Sequence, residues 1–396
     1  MNNVQLKEIV QYSKNRISYD KLNIKTYIST DNLLQNKLGA IQINSLPSSV
    51  INTPKYEFGN ILVSNIRPYL KKILYAKNEG GVSSDVLTFV VNEGFDPRFV
   101  YYNLFQDSFF EHMMAGSKGT KMPRGDKNQI LEFEISQFSL QTQQKIAAVL
   151  SALDDKIEVN NKINAELEAI AKTLYDYWFV QFEFPNVEGK PYKSSGGEMV
   201  YNPTLKREIP EGWEVKELNE IAKVIMGQSP KGESYNEEGN GVLLINGAAD
   251  YEGNYLKPRI YTSAPTRLCE VNDLVFCIRA TIGKLTYAED KFCLGRGVAG
   301  VRVNSLNYTE YIFYSLNQEI ERFKKHASGS IIVGITKEDL TDYNVLIPRE
   351  NILNNFHKIL HPIHSKMRMN SKQNQELSQL RDWLLPMLMN GQVTVE

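Results

Sequence analysis

The chain has 396 residues, of which 42% are hydrophobic and 23% are charged. These values exclude wholesale disorder and collagen-like structure, and the length predicts two or three domains that each bury a core. The 45 basic residues balance 46 acidic residues, so a surface that binds nucleic acid is expected to be a local patch rather than a whole basic domain.

The sequence also points to a compartment. It contains no apolar run of about 18 residues, which predicts no transmembrane helix, and its first residues lack the pattern of a signal peptide. The cysteines, Cys269, Cys277 and Cys293, are odd in number and fit neither a disulfide framework nor a zinc ribbon. We therefore expect reduced structural thiols in a cytoplasmic protein.

Two regions of the chain have mixed α/β character. In the first, the apolar, β-branched run 59–64 predicts a strand, and the aromatic-rich residues 99–110 have the apolar spacing of a helix. In the second, residues 273–277 and 311–323 repeat this strand and helix. Between the two regions, residues 185–212 are rich in Pro, Gly and Ser, which predicts a linker.

The two regions are copies of one unit of about 210 residues. Residues 65–135 align with 277–347 without a gap, at a shift of 212. Such self-similarity indicates an internal repeat. The identical pairs include Ile66-Arg67 with Ile278-Arg279, Lys72 with Lys284, Tyr75-Ala76 with Tyr287-Ala288, and Val91-Asn92 with Val303-Asn304.

A heptad pattern follows each copy. Apolar residues occupy most of the two seam positions, and Asn occurs at matching places in both segments, which favours a coiled coil with a register fixed by polar pairing. The register residues are Asn160, Asn164, Asn370 and Asn374. The predicted seam residues are Ile146, Leu150, Leu153, Ile157, Asn160, Asn164, Leu167, Ala171, Leu174 and Trp178, and then Phe356, Leu360, Ile363, Met367, Asn370, Asn374, Leu377, Arg381, Leu384 and Leu388.

The helix prediction has one alternative and one obstacle. The alternative is two separate amphipathic helices, each packed on its own domain, but this does not explain the duplicated Asn pair. The obstacle is Pro362, which removes a helical hydrogen bond at a cost of about 3 kcal/mol. We expect either a kink at Pro362 or a helix that starts near His361. The predicted fold is α+β: two related mixed α/β domains joined by two long helices in an antiparallel coiled coil, with pseudo-twofold symmetry.

Paired helices can hold the two related globular regions at a fixed distance from each other. DNA is a natural target for such an arrangement, because the protein geometry then sets the spacing between half-sites. Basic and hydroxyl side chains suit phosphates and guanine edges; the alternative for each is a solvated turn. The candidate DNA contacts in the first copy are Arg67, Lys71, Lys72, Ser117, Lys118, Thr120, Lys121 and Arg124. Those in the second copy are Arg279, Thr281, Lys284, Lys324, Lys325, Ser328 and Ser330.

The sequence lacks the usual enzyme signatures. It has neither a G-x-x-x-x-G-K-[ST] phosphate loop nor a G-x-G-x-x-G motif after a strand. Asp273 with residues 289–291 imitates a nuclease cluster, but the first copy does not match it. His357, His361 and His364 have the spacing of one helix face and resemble a metal-ligand set. Because Pro362 interrupts them and the first copy has no equivalent, we assign no catalytic or metal-binding residue.

Three stretches resemble the specificity subunits of type I restriction-modification enzymes. The first is Ile146-Ala-Ala-Val-Leu-Ser-Ala-Leu-Asp-Asp-Lys-Ile157, which continues to Tyr177-Trp-Phe-Val-Gln-Phe182 and is similar to the central helix of that family. The second, Ser195-Gly-Gly-Glu-Met-Val200 with Ile209-Pro-Glu-Gly-Trp213, resembles the start of the second recognition domain. The third, Leu380-Arg-Asp-Trp-Leu-Leu-Pro386, resembles the C-terminal helix.

The resemblance implies two target recognition domains that each read half of a bipartite DNA sequence. It further implies a complex with two modification subunits, which bind S-adenosylmethionine, and two restriction subunits, which use ATP and Mg; no cofactor is expected on this chain, which is expected to aim enzymes without being one. The expected domains are residues 1–140 (first recognition domain), 141–184 (central helix), 185–212 (linker), 213–349 (second recognition domain) and 350–396 (C-terminal helix).

Two other functions remain open from the sequence. The globular regions could bind protein in a non-enzymatic scaffold, or the chain could be a nuclease or methyltransferase with an unrecognised site. Salt-dependent binding to duplex DNA separates DNA recognition from the scaffold. Methyl transfer by the purified chain alone would indicate an enzyme.

Overall fold

The structure, a computed structural model, divides the chain into two compact units. The first contains Met1–Val159 and Gln373–Glu396, and the second contains Asn160–Lys372. Each unit therefore combines one globular region with a part of each long helix. No helix in the described ranges is long and apolar enough to cross a membrane. The structure describes residues 3–47, 51–119, 121–253, 255–326 and 334–395.

The first globular region contains a four-stranded antiparallel sheet in the order β2-β8-β5-β6, a three-stranded sheet β3-β4-β7 and the pair β1-β9. Its strands are β1 (Asn3–Gln5), β2 (Val10–Tyr12), β3 (Arg16–Ser18), β4 (Asn52–Tyr56), β5 (Ile61–Ser64), β6 (Ile73–Tyr75), β7 (Gly80–Gly81), β8 (Val86–Val91) and β9 (Glu134–Ser136). Its helices are α1 (Leu6–Ile9), α2 (Pro97–Phe105), α3 (Asp107–Ala115) and α4 (Lys127–Ile130).

Strand β5 shows why this region folds as it does. All four of its residues are buried, because the strand lies inside the sheet between β8 and β6. Ile61 and Val63 belong to one apolar cluster with the helices, and Leu62 belongs to a second with Tyr56 and Val82. Alternate side chains of a strand point to opposite faces, so one short apolar run serves two cores.

The second globular region repeats the four-stranded sheet of the first, here in the order β13-β23-β20-β21, and the strand pair β12-β24 corresponds to β1-β9. We call the four-stranded sheet of each region its central sheet. The second region adds a five-stranded sheet, β14-β18-β15-β22-β19, and the pairs β10-β11 and β16-β17. Its helices are α6 (Leu218–Ile221), α7 (Thr309–His326) and α8 (Lys337–Thr341). The strands are β10 (Met199–Asn202), β11 (Arg207–Pro210), β12 (Glu214–Glu217), β13 (Ala222–Met226), β14 (Tyr235–Asn236), β15 (Val242–Ile245), β16 (Tyr251–Glu252), β17 (Tyr255–Leu256), β18 (Tyr261–Thr262), β19 (Leu268–Cys269), β20 (Leu274–Cys277), β21 (Leu285–Tyr287), β22 (Phe292–Leu294), β23 (Val298–Val303) and β24 (Asn344–Ile347).

The shared topology confirms the predicted internal repeat and mixed α/β class. The predicted strands are confirmed as β5 and β20, and the second predicted helix lies within α7. The first predicted helix is broken at Gln106, whose backbone is extended. This break places Asp107 in the first turn of α3, where its carboxylate binds the ammonium groups of Lys37 and Lys71 at 2.6 and 2.7 Å. A negative charge is also favoured at a helix N-terminus.

Residues 185–212, which the sequence predicts to be a linker, have regular structure of their own. They contain the hairpin β10-β11, and their ends join the core of the second unit. Phe184 stacks on Tyr192 and on Trp213, with ring centroids 4.5 and 5.0 Å apart. Ile209 is buried in the same cluster. Pro and Gly indicate turns here, but the aromatic and apolar residues between them hold the segment in place.

Two long helices follow the globular regions. Helix α5 (Leu140–Tyr175) has 36 residues and continues into a π-helical turn at Asp176–Val180, and helix α9 (Glu350–Met389) has 40 residues. Of the two alternatives predicted for Pro362, a kink or a helix that starts near His361, the second does not occur, because α9 begins at Glu350 and continues through Pro362. Burial of Leu353, Phe356 and Leu360 offsets the hydrogen bond that Pro362 removes.

The helix residues chosen from the heptad pattern are all buried or half-buried. In the second unit, Asn370 donates from Nδ2 to Oδ1 of Asn164 at 2.8 Å, and the rings of Trp178 and Phe356 pack 5.8 Å apart. Because residue numbers rise on one segment as they fall on the other, the two segments run in opposite directions. Asn160 is buried and has an interaction partner.

In the first unit, the N-terminal part of α5 packs against the C-terminal part of α9. Leu150 packs in one core with Leu385 and Leu388. Arg381, a charged residue at a predicted seam position, donates to Asp154 at 2.7 Å and lies 4.7 Å from the centre of the Phe105 ring. The ion pair and the ring explain how a half-buried arginine is accommodated. Asn374 is half-buried and has an interaction partner.

We expect the variant N164L to be less stable than the wild type by about 1–3 kcal/mol, because it removes the acceptor of the buried Asn370 amide. The double variant N164L/N370L should regain most of that loss, since an apolar pair leaves no amide unsatisfied. Urea unfolding of both variants measures the difference. A double variant that is less stable than N164L would show that the amide pair does not act as a unit.

Candidate nucleic-acid interface

The candidate DNA-binding residues of the first unit lie on two loops that are joined by backbone hydrogen bonds. These are the β5-β6 loop and the α3-α4 loop. The amide of Arg67 donates to the carbonyl of Pro123 at 2.8 Å, and that of Gly125 donates to the carbonyl of Asn65 at 3.1 Å. Residues that the sequence separates by more than 50 positions are therefore brought together.

A third loop, between β3 and β4, joins the same cluster. The amide of Asn36 donates to Leu70 and that of Lys37 donates to Lys71, both at 2.9 Å. This loop carries Leu38, which is 60% exposed. The loop has few basic residues, so a pattern of basic and hydroxyl side chains does not identify it as part of the candidate surface.

Arg67 is the most prominent charged residue of this surface. It is exposed and makes no ion pair within the described residues. Its backbone has a φ of 49°, a left-handed conformation that costs about 1 kcal/mol or more in a residue other than glycine. Such strain is typically retained where a loop serves a function.

Two neighbouring side chains also face solvent. Tyr69 and Met122 are 50% and 51% exposed. They are large apolar groups on an otherwise polar loop surface, and such groups contact thymine methyls in DNA complexes. The alternation of Arg67, Tyr69 and Lys71 in the sequence was the signal that could have identified the tyrosine.

The remaining candidates in the first unit differ in how free they are. Lys121 is exposed. Lys118 and Arg124 are exposed but form ion pairs with Asp126 at 3.2 Å and with Asp85 at 2.9 Å. The hydroxyl of Ser117 donates to a backbone carbonyl of its own turn. Thr120 lies outside the described residues.

Lys72 and Lys284 share a structural role in the two units. Lys72 donates from Nζ to the carbonyl of Thr30, and Lys284 donates to the carbonyl of Ala248 at 3.1 Å. Burial lowers the pKa of Lys72. Each lysine thus ties an earlier loop to the central sheet, which explains their equivalence without a DNA contact.

The second unit builds its candidate surface in the same way. The β20-β21 loop pairs with the segment before α8 through a bridge from Arg279 to Gly334, and the amide of Ile335 donates to Ile278 at 2.9 Å. Arg279 and Thr281 are exposed. Lys324 pairs with Glu321, and Lys325 is exposed. Ser328 and Ser330 lie outside the described residues.

The gapless alignment of residues 65–135 with 277–347 is wrong by one residue at its start, where β5 and β20 end. Ser64 pairs with Val86, and Cys277 pairs with Val298, so Ser64 and Cys277 are equivalent. The alignment instead placed Asn65 on Cys277. The reason is that the loop after β5 has eight residues, whereas the loop after β20 has seven.

This shift changes which arginines correspond. Arg67 is equivalent to Ala280, and both have left-handed backbones, with φ of 49° and 61°. Arg279 is equivalent to Ile66, because each forms the bridge to the later loop. The two arginines therefore lie on the same loop of each unit but at adjacent positions, so they present their guanidinium groups differently.

The other clusters considered from the sequence have structural explanations. Asp273 is buried and accepts three hydrogen bonds from Arg302, at 2.7, 2.9 and 3.1 Å. The three cysteines are buried and unpaired, and burial raises the pKa of Cys269 to about 11. Within the described residues these side chains therefore lack the exposure that a reactive site requires.

The known proteins and the family model that this chain resembles all describe the same kind of protein. The family model for the type I restriction modification DNA specificity domain matches residues 1–169 and again 210–379. The type I restriction enzyme MjaIX specificity subunit of Methanocaldococcus jannaschii is 29% identical over 348 residues, which cover 85% of this chain and 78% of that protein. The HindI specificity subunit of Haemophilus influenzae is 23% identical and covers 98% of both chains.

One solved structure is similar over nearly the whole chain. The S subunit of a type I restriction-modification system from M. genitalium aligns with a TM-score of 0.59, covers 98% of this chain and 96% of that chain, and is 18% identical. At this identity the likeness concerns the fold. The fold and the double match agree with the repeat found in the sequence.

Loss of the Lys72 anchor is expected to destabilise the first unit. The variant K72M should lower the free energy of unfolding by about 1 kcal/mol or more, because the Thr30 carbonyl loses a charged donor. The matched control K121M changes an exposed lysine and should shift it by less than about 0.5 kcal/mol. Equal urea midpoints for the two variants would contradict the anchoring role.

Proposed function

Because the chain belongs to the type I restriction-modification DNA specificity family, we propose that each of its globular regions reads one half of a bipartite DNA target. The chain is the specificity subunit of such a system. The observation that carries the proposal is the repeated loop cluster, which presents an exposed arginine in each unit, Arg67 and Arg279. Arginine binds guanine edges and phosphates with paired hydrogen bonds.

The two regions would read different half-sites. Their central sheets correspond, but the five-stranded sheet of the second region differs from the three-stranded sheet of the first. The candidate arginines also stand at adjacent rather than equivalent loop positions. A shared scaffold with different loops is the arrangement expected of two readers with different sequences.

We further propose that α5 and α9 form an antiparallel coiled coil with a pseudo-twofold relation between the copies. The Asn164–Asn370 amide pair and the Asp154–Arg381 ion pair support this, since polar pairs in a seam specify register. Helices of 36 and 40 residues are about 54 and 60 Å long. Such a spacer would set the distance between half-sites.

The helices would also carry the partner subunits. Helical side chains that face solvent include Ile170, Met369 and Trp383, which are 56%, 66% and 61% exposed. Large exposed apolar residues indicate interaction surfaces. Two modification subunits would bind there with S-adenosylmethionine, and two restriction subunits would supply the ATP- and Mg-dependent steps. The assembly would act on DNA in the cytoplasm.

This chain would aim those enzymes without catalysing a step itself. Asp273, the carboxylate of the nuclease-like group, forms an ion pair with Arg302. Membership of the specificity family also favours DNA recognition over the protein-binding scaffold. Methyl transfer by the purified chain alone would contradict the non-catalytic role.

The decisive experiment is a genome-wide map of adenine methylation in the source strain with and without this gene. We expect deletion to remove methylation at one bipartite sequence with a fixed gap, because the modification subunits lose their guide. Re-expression of the gene should restore it. An unchanged methylation map would contradict the proposed function.

The variants R67A and R279A should each weaken DNA binding by the complete methyltransferase complex. Each lost phosphate contact is expected to reduce the slope of log affinity against log salt by about 1. If the guanidinium contacts a base, the variant should also relax recognition in one half-site, and the two variants should affect opposite halves. Binding is measured by fluorescence anisotropy at several salt concentrations.

The control is K7A, which removes an exposed positive charge of the first unit that lies in α1, outside the three loops. It should leave the affinity and its salt dependence close to those of the wild type. If R67A and K7A behave alike, Arg67 does not contact DNA.

A further inference from the structure

A buried carboxylate lies between two histidines in the second unit. Glu310, in the first turn of α7, is 2% exposed. Its Oε2 lies 2.6 Å from Nδ1 of His357, and its Oε1 lies 3.3 Å from Nδ1 of His361. All three ligand atoms lie within 4.8 Å of one another. A carboxylate is rarely buried this completely unless it is paired or binds a metal.

The continuity of α9 makes the histidine pair possible. His357 and His361 are four residues apart, so an uninterrupted helix places them on one face. Their rings are 5.0 Å apart. The sequence pattern suggested the histidines but could not identify Glu310, which is 47 residues earlier in the chain.

The three residues line a cavity of about 110 Å³, and Tyr287 and Thr309 line the same cavity. The side-chain oxygens of Tyr287 and Thr309 are buried and form no hydrogen bond within the described residues. These two residues are 6% and 4% exposed. Unpaired buried hydroxyl groups are costly, and the cavity has room for several water molecules. The unpaired hydroxyl groups and the water-sized space together indicate a ligand that carries bound water.

We propose that Glu310, His357 and His361 bind a divalent metal ion of the zinc class, whose remaining positions are filled by water. Two imidazoles and one carboxylate are a common ligand set for zinc. Bonds of about 2.0–2.2 Å place the ligand atoms of a tetrahedral site about 3.3–3.5 Å apart. The ligand atoms of the three residues lie within 4.8 Å of one another, so side-chain rotations would have to bring them to this spacing around the ion. The metal-bound water would donate hydrogen bonds to Tyr287 and Thr309.

Neighbouring polar groups leave the ion position open. His364, the third histidine of the sequence pattern, is not a ligand, because its Nε2 contacts the hydroxyl of Tyr314 at 3.1 Å. Arg368 lines the same cavity, but its guanidinium donates to Asn272 and Ser365 and lies 5.6 Å from the Tyr287 ring centre. His361 is about half exposed, which provides a route for the ion.

The ion would cross-link two helices within the second unit. It would join the first turn of α7, which packs on the central sheet, to α9. A ligand that binds only the folded state stabilises it by RT ln(1 + [L]/Kd), so the unfolding temperature rises with the ligand concentration and more for a tighter ligand. Metal binding is therefore detectable as stability as well as directly.

The test uses the full chain, purified without a polyhistidine tag, stripped with a chelator and titrated with ZnCl₂ in a calorimeter. We expect one Zn²⁺ per chain at this site and a thermal midpoint that rises with the Zn²⁺ concentration. H361Q changes a half-exposed side chain and should fold normally, yet bind Zn²⁺ at least about 10-fold more weakly. Y287F should also weaken binding about 10-fold if its hydroxyl accepts from the bound water.

H112Q is the matched control, because His112 lies in the first unit and its Nε2 contacts the carbonyl of Gln129. It should bind Zn²⁺ as the wild type does. Wild-type protein that binds no Zn²⁺, or H361Q with unchanged affinity and midpoint shift, would overturn the site. Unchanged affinity in Y287F alone would overturn the water-mediated contact. The metal-free midpoint of each variant reports whether its fold is intact.

Discussion

The contacts between α5 and α9 depend on polar groups that must be satisfied inside an otherwise apolar seam. In the second unit an amide pair, Asn164 and Asn370, fills this place, and in the first unit an ion pair, Asp154 and Arg381, does so. Each pair joins a residue of α5 to a residue of α9 within one unit. Because an unpaired buried amide or guanidinium is costly, these contacts favour the observed arrangement of the helix segments in each unit.

Most of the architecture was predictable because it follows from periodicity. The heptad identified the buried face of both helices, and short β-branched runs identified β5 and β20. The errors came from interactions that periodicity does not contain. The start of α9 depends on Phe356 and Leu360, which pack before Pro362. The segment 185–212 is ordered because Phe184 and Tyr192 stack near Trp213.

The candidate site was predictable at the level of loops but not of atoms. The sequence indicated basic and polar segments after β5 and β20, and the structure places Arg67 and Arg279 on exposed loops there. It could not distinguish Arg67, which faces solvent, from Lys72, which binds a carbonyl, because both are basic residues in one loop. It also could not detect a one-residue difference in loop length, since the identities on either side aligned without a gap. Glu310 was invisible for a similar reason: its partners become neighbours only after α7 packs on α9.

The division of the chain has a consequence for its synthesis. The core of the first unit includes Leu385, Leu388 and Met389, which the ribosome adds more than 200 residues after the first globular region is complete. Until then, the apolar surface that these residues cover remains open. The second unit, which ends at Lys372, has all of its residues earlier. The region made first is thus completed last, and a nonsense mutation near the C-terminus would remove part of the core of the first unit while leaving the residues of the second unit in place.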